Sequence, residues 1–116
     1  MTTSTWLRLG AAVCFLAVAL GAFGAHALRA TLDAHDSRAT WNTAVLYQFL
    51  HGLALIVLSL HGVTRVSCWL FLAGIVLFSG SLYALAIARA SWLGPVTPLG
   101  GLCFLAGWAW LFFAAR

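Results

Sequence analysis

Four long apolar stretches stand out along the chain: about Trp6 to Leu28, Trp41 to Leu60, Cys68 to Ala88 and Pro98 to Ala115. Each is close to the roughly 20 residues that cross about 30 Å of hydrocarbon at about 1.5 Å per residue. This pattern predicts an all-α fold, an integral membrane bundle of four transmembrane helices (about 6–28, 41–60, 68–88 and 98–115) forming a single domain over residues 1–116. The tails and short loops that remain are too small for a separate soluble domain.

The breaks have their own chemistry. His61-Gly62-Val63-Thr64-Arg65 places a glycine after the last apolar turn and a cation beyond it, a helix stop. Thr97-Pro98 reads as an N-cap followed by proline at the first helical position, where the missing N–H is no loss. The longest connection, Arg29 to Thr40, has Leu28 and Leu32 four apart at its start and predicts a short helix on the membrane surface. Asp36 or Ser37 is expected to cap the second span. Ala25-His26-Ala27 also resembles a signal-peptidase site, but the first stretch is long for a signal segment, and we read it as an uncleaved span.

Composition narrows the class. Of 116 residues, 64% are hydrophobic and 7% charged, and a soluble domain of this size could not hide that much apolar surface. Disorder is excluded on the same ground. The formal charge of +4 comes from scattered arginines, without the clustering of a nucleic-acid footprint. Trp6, Trp41, Trp69, Trp92, Trp108 and Trp110 fall at or just inside predicted span ends, the level where an indole meets both lipid and water. Arg8, Arg65 and Arg116 lie on the side of the termini; Arg29, Arg38 and Arg89 lie on the other. The arginine count ties at three a side; Asp33 and Asp36 make the second side the less positive one, and on that balance the termini are expected in the cytoplasm. Cys14, Cys68 and Cys103 have no zinc spacing and are read as small packing residues.

Helices in lipid associate through close packing and hydrogen bonds. Small residues recur every fourth position: Ala17, Gly21 and Ala25 on the first span, Gly80, Ala84 and Ala88 on the third, and Cys103 and Gly107 on the fourth. They serve either packing within the chain or a surface for a second copy or another membrane protein.

Polar residues inside the spans are the informative ones. Gln48 and His51 share a face of the second span, and His51, ten residues in from Trp41, lies about 15 Å deep, at the midplane. Counted inward from Arg89, Ser79 levels with His51 and Tyr83 with Gln48, so a seam of side-chain hydrogen bonds is expected between these antiparallel spans. Ser81 faces a different neighbour. The seam is either structural glue or a site for a ligand, a proton or water. His26, near the end of the first span, is either the cap of a cavity reaching Gln48 and His51 or an interfacial residue facing water. Asp33-Ala34-His35-Asp36 has metal-ligand residue types but no second cluster, so a solvated loop is expected and no metal. No nucleophile–base pair, phosphate loop or carboxylate pair is present, and neither an enzyme nor a cofactor is expected.

Gly21-Ala22-Phe23-Gly24-Ala25-His26-Ala27-Leu28, the run from Trp41 to Leu55 (WNTAVLYQFLHGLAL), Phe78-Ser79-Gly80-Ser81-Leu82-Tyr83 and Thr97-Pro98-Leu99-Gly100-Gly101 together resemble the small inner-membrane proteins of the YgdD and YwdK type. The likeness runs from about Gly10 to Trp108. It departs mildly at Gly52, where alanine is expected. The resemblance implies a multi-pass protein of the bacterial cytoplasmic membrane in a family of unknown biochemical function, with no catalytic residues to transfer. Two readings of function follow. One is a non-catalytic membrane protein acting by association with itself, as a homo-oligomer, or with a membrane partner. The other is a minimal transporter or channel for a proton or small solute, using a polar cavity around His51.

Overall fold

The computed structural model describes residues 2–62 and 65–115; Val63 and Thr64 of the predicted break, and Arg116 of the charge count, lie outside them. Helices α1 (Thr3–Ala25) and α3 (Arg38–His61) are the first two spans, joined by the short helix α2 (Arg29–Ala34). The third span is composite: α4 (Arg65–Gly74), a π-helical turn (Ile75–Ser79) and α5 (Gly80–Ala88). A 3-10 turn (Ser91–Leu93) leads into α6 (Val96–Ala114), which completes the fourth. All four are long and apolar enough to cross a membrane.

Local chemistry explains the boundaries and moves some of them. The Thr2 side chain accepts from the Thr5 N–H at 3.2 Å and starts α1 earlier than expected. That helix also stops earlier, at Ala25, with the His26 N–H turned back on the carbonyls of Ala22 and Phe23. Gly62 ends α3 at φ +64, a conformation open to glycine without strain. Ser37 occupies the N-cap position of α3 but does not cap it, and Asp36 takes φ +50 in the turn. The Ser37 hydroxyl instead donates to the Ala86 carbonyl at 2.7 Å, because the end of the third span is packed against it. Likewise α6 starts at Val96, which puts Thr97 inside the helix, where its hydroxyl lies 2.5 Å from that of Ser81.

The short helix predicted in the longest connection forms as α2. Leu32 is fully buried in a cluster with Trp41 and Ala86, which ties this loop to the ends of the second and third spans. His35 Nδ1 donates to Ala86 O at 3.1 Å, and the Arg89 guanidinium donates to Ala34 O at 3.2 Å.

Extended interfaces among the described residues link consecutive spans: first with second, second with third, third with fourth. The first and fourth are therefore the outer helices, with Phe15, Val18, Phe112 and Phe113 turned outward. Rings seated on glycines hold the third and fourth together. Phe104 covers Gly74, Phe71 covers Gly107, and the backbone of Phe78 lies against Gly100. At the other interface Trp41 lies on Gly24 and donates its indole N–H to Leu20 O at 3.0 Å. Gly52, where alanine was expected, has no room for a methyl: a Cβ there would stand 2.8 Å from Cys14 Sγ.

The small-residue faces divide. Ala17 is fully buried and Gly21 meets Val45, whereas Ala25 is exposed. On the third span Gly80 faces away from the bundle with nothing within 4 Å of its Cβ position, Ala84 is half-buried and Ala88 exposed. The residue that meets the fourth span through a missing side chain is Gly74, one turn and more upstream.

Candidate functional site

Gln48 is the centre of the polar interior. Its Nε2 donates to Val13 O of the first span at 3.0 Å, and its Oε1 accepts from the Tyr83 hydroxyl of the third at 2.6 Å. One amide thus joins three helices, and Trp41 closes it off with a ring contact to Tyr83 at 4.7 Å. Gln48 is 5% exposed, so these bonds form in a medium that offers no competing water.

Ser79 and His51 do not meet. Ser79 is 1% exposed and donates to Ala44 O of the second span at 2.8 Å. The second span begins at Arg38, three residues before Trp41, while the third ends at Ala88. Ser79 thus stands opposite Ala44 rather than His51, seven residues away along the second span, and the antiparallel register is displaced by about two turns from the expected one. Gln48 and Tyr83 still bond because each is long and leans towards its own N-terminus, and in an antiparallel pair those leanings converge. A serine hydroxyl has no such reach.

His51 turns instead to the fourth span. Its Nε2 accepts the Trp108 indole N–H at 3.0 Å, and its Nδ1 lies 2.8 Å from Tyr47 O. A carbonyl only accepts, so Nδ1 carries the proton and the imidazole is the neutral tautomer with both nitrogens occupied. The ring stacks on Phe104 at 3.7 Å between centroids and meets the Phe71 edge at 5.2 Å. A groove of about 540 Å³ along the fourth span touches His51, but its walls include Phe78, Leu102, Phe104 and Leu105, an apolar surface rather than a polar path.

Trp108 is therefore a partner that its assignment to the headgroup level missed. The signal was present: Trp108 is ten residues from Pro98, as His51 is from Trp41, and both spans enter from the same side. Ser67, with its hydroxyl on Gly107 O at 2.8 Å, was likewise not foreseen. His26 joins neither Gln48 nor His51; it is exposed, beyond the end of α1. Ser81 does face another neighbour, Thr97 of the fourth span. In the loop, Asp33 is engaged by Arg38 at 2.6 Å and His35 by Ala86 O, so these side chains act as loop fasteners.

Four apolar helices fastened by an interior of paired side chains define a multi-pass membrane protein. The family model described as "Protein of unknown function (DUF423)" matches residues 20–101, and the chain belongs to that family. It is 45% identical over 117 residues to the UPF0382 membrane protein YwdK of Bacillus subtilis, covering 95% of this chain and 94% of the relative. Against the UPF0382 inner membrane protein YgdD of Escherichia coli K12 the identity is 45% over 121 residues, covering 97% and 91%. A Staphylococcus aureus relative, the UPF0382 membrane protein SAB0533, is 42% identical over 114 residues, covering 94% and 93%. No solved structure matches. With these relatives and four spans, the chain is a multi-pass protein of the bacterial cytoplasmic membrane.

Proposed function

We propose that this protein is a non-catalytic membrane component that acts by lateral association, with a second copy or another membrane protein. One observation carries the reading: Gly80 opens a face of the third span, continued by Ala84 and Ala88, that the chain's own packing leaves uncovered at Gly80 and Ala88. Small residues four apart let two helix backbones approach closely in lipid. The paired interior supports the same reading. With both nitrogens of His51 bonded and Gln48 bonded to two spans, the polar groups hold helices together and are not presented to a solute or a proton. That pairing weighs against the transporter reading. In this proposal the termini face the cytoplasm, opposite the loop that carries Asp33 and Asp36.

Crosslinking and native mass measurement of the protein extracted from its membrane test the proposal. An oligomer or a copurifying membrane protein is expected. Gly80→Leu should abolish the association without lowering the melting temperature, because no side chain of the same chain lies within 4 Å to be displaced. Monomers alone, with nothing copurifying, would overturn the proposal.

A further inference from the structure

At the end of the bundle that carries the amino terminus, the first three spans line a small, partly open cavity of about 120 Å³. Thr3 and Trp6 line it from α1, Ser59 and Gly62 from α3, and Arg65 and Cys68 from α4. By the same measure a water needs only about 10–15 Å³, so the space admits a tetrahedral oxyanion. Trp6 is 3% exposed, and its indole N–H has no acceptor among the described residues. Every other buried side-chain nitrogen or oxygen among those residues has a partner, and buried donors in native structures are almost always matched. The unmatched one belongs to a residue of the cavity wall.

The electrostatics of this end favour an anion. The first and third spans both begin here, so α1 and α4 direct the positive ends of their dipoles to this level. Arg65 is exposed and has no carboxylate partner among the described residues. Both acidic residues of the chain, Asp33 and Asp36, are at the opposite end. The carbonyl end of α3 shares the rim, but hydroxyl and imidazole donors already cover part of it: Ser59 donates to Ile56 O and His61 Nδ1 to Val57 O. Around the cavity itself the starts of α1 and α4 and the Arg65 guanidinium face one helix end, that of α3, while the end of α6 does not line it.

We propose that this cavity binds a phosphate group, from an anionic lipid headgroup or from free phosphate. Arg65 supplies charge-assisted hydrogen bonds, and the Trp6 N–H and Thr3 hydroxyl supply neutral ones. A tryptophan four positions into a span stands at headgroup depth, where a lipid phosphate lies. This site is independent of the Gly80 face and does not rest on the association proposed above.

The test titrates the full chain in neutral detergent with short-chain phosphatidylglycerol, phosphatidylcholine or inorganic phosphate. It reads the melting temperature and the lipid retained in native mass spectra. Phosphatidylglycerol is expected to bind more tightly than phosphatidylcholine. Arg65→Gln should weaken that binding about tenfold, the usual weight of a charge-assisted hydrogen bond. Trp6→Phe, which keeps a ring but removes the N–H, should weaken it a few-fold. Arg8→Gln, at the same end but off the cavity wall, should leave it unchanged. Phosphate acting alone, with the same dependence on Arg65, would identify the free ion as the source; a response to lipid only would identify the headgroup. The proposal fails if neither probe binds, if Arg65→Gln has no effect, if Trp6→Phe binds as well as the parent, or if Arg8→Gln weakens binding equally.

Discussion

Gln48 holds three helices with one side chain, so its replacement is the most informative at the scale of single residues. Gln48→Leu removes both bonds and leaves the Tyr83 hydroxyl unmatched in an apolar interior. A loss of about 1–3 kcal/mol is expected, read as a lower melting temperature in detergent. Tyr83→Phe should cost less, because Nε2 keeps its bond to Val13 O. His51 gives a sharper contrast. His51→Ala strands the Trp108 N–H and empties the stack on Phe104, so it should destabilise clearly. Replacing both His51 and Trp108 by Phe should bring stability back above that of His51→Ala, since no polar group is then left unpaired. Were the single change to leave stability intact while altering a proton or solute flux, the structural role assigned to His51 would be wrong. At this scale the sequence showed which residues are polar and how deep they lie, and one of its two pairings forms. The other does not, because Tyr83 and Gln48 lean towards each other across a shift of about two turns, which a serine hydroxyl cannot span.

Among the elements, the composite third span does the most to position the interior. The Gly80 N–H bonds back to Ile75 O, the five-residue step of a π-turn, which inserts one extra residue into the helix. Consecutive residues then serve both neighbours: Phe78 presses on Gly100 of the fourth span, and Ser79 bonds Ala44 of the second. No proline or local motif between Gly74 and Gly80 announces this turn, so hydrophobic periodicity could not have found it. Glycine substitutions separate the two faces. A methyl at Gly100 would overlap backbone atoms of Phe78, which cannot rotate away, so Gly100→Ala should cost about 1–3 kcal/mol. Gly80→Ala meets nothing and should be neutral or stabilising by up to about 1 kcal/mol, from helix propensity alone. The loop between the first two spans offers a similar pair. Ser37→Ala loses a buried bond to Ala86 O and should destabilise by about 1 kcal/mol. Arg38→Ala breaks an ion pair whose side chains are half exposed and should change stability by less than about 0.5 kcal/mol. Thermal melts of the four variants in one detergent would order them.

Taken whole, the molecule is a row of spans, each fastened to the next, with α3 carrying the most buried positions. Hydrogen exchange read by mass spectrometry should therefore find the slowest amides in α3, and faster exchange in α6, whose outer face is bare of protein. Faster exchange in α3 than in α6 would contradict that order. The four spans, the short connecting helix and the membrane class were legible in the residues alone, because lipid leaves a chain this apolar with few polar breaks no alternative to helices that satisfy their own backbones. Relative height was legible in part, since rise per residue brought Gln48 to Tyr83 but set Trp108 at a span end and Ser79 level with His51. What only the tertiary structure decided was azimuth and register: that Trp108 turns inward to His51, that Gly80 turns outward, and that Trp6 is left with an unmatched N–H. Those depend on where each helix begins, on one inserted residue, and on which ring settles over which glycine. They are contacts between distant parts of the chain, and no local pattern encodes them.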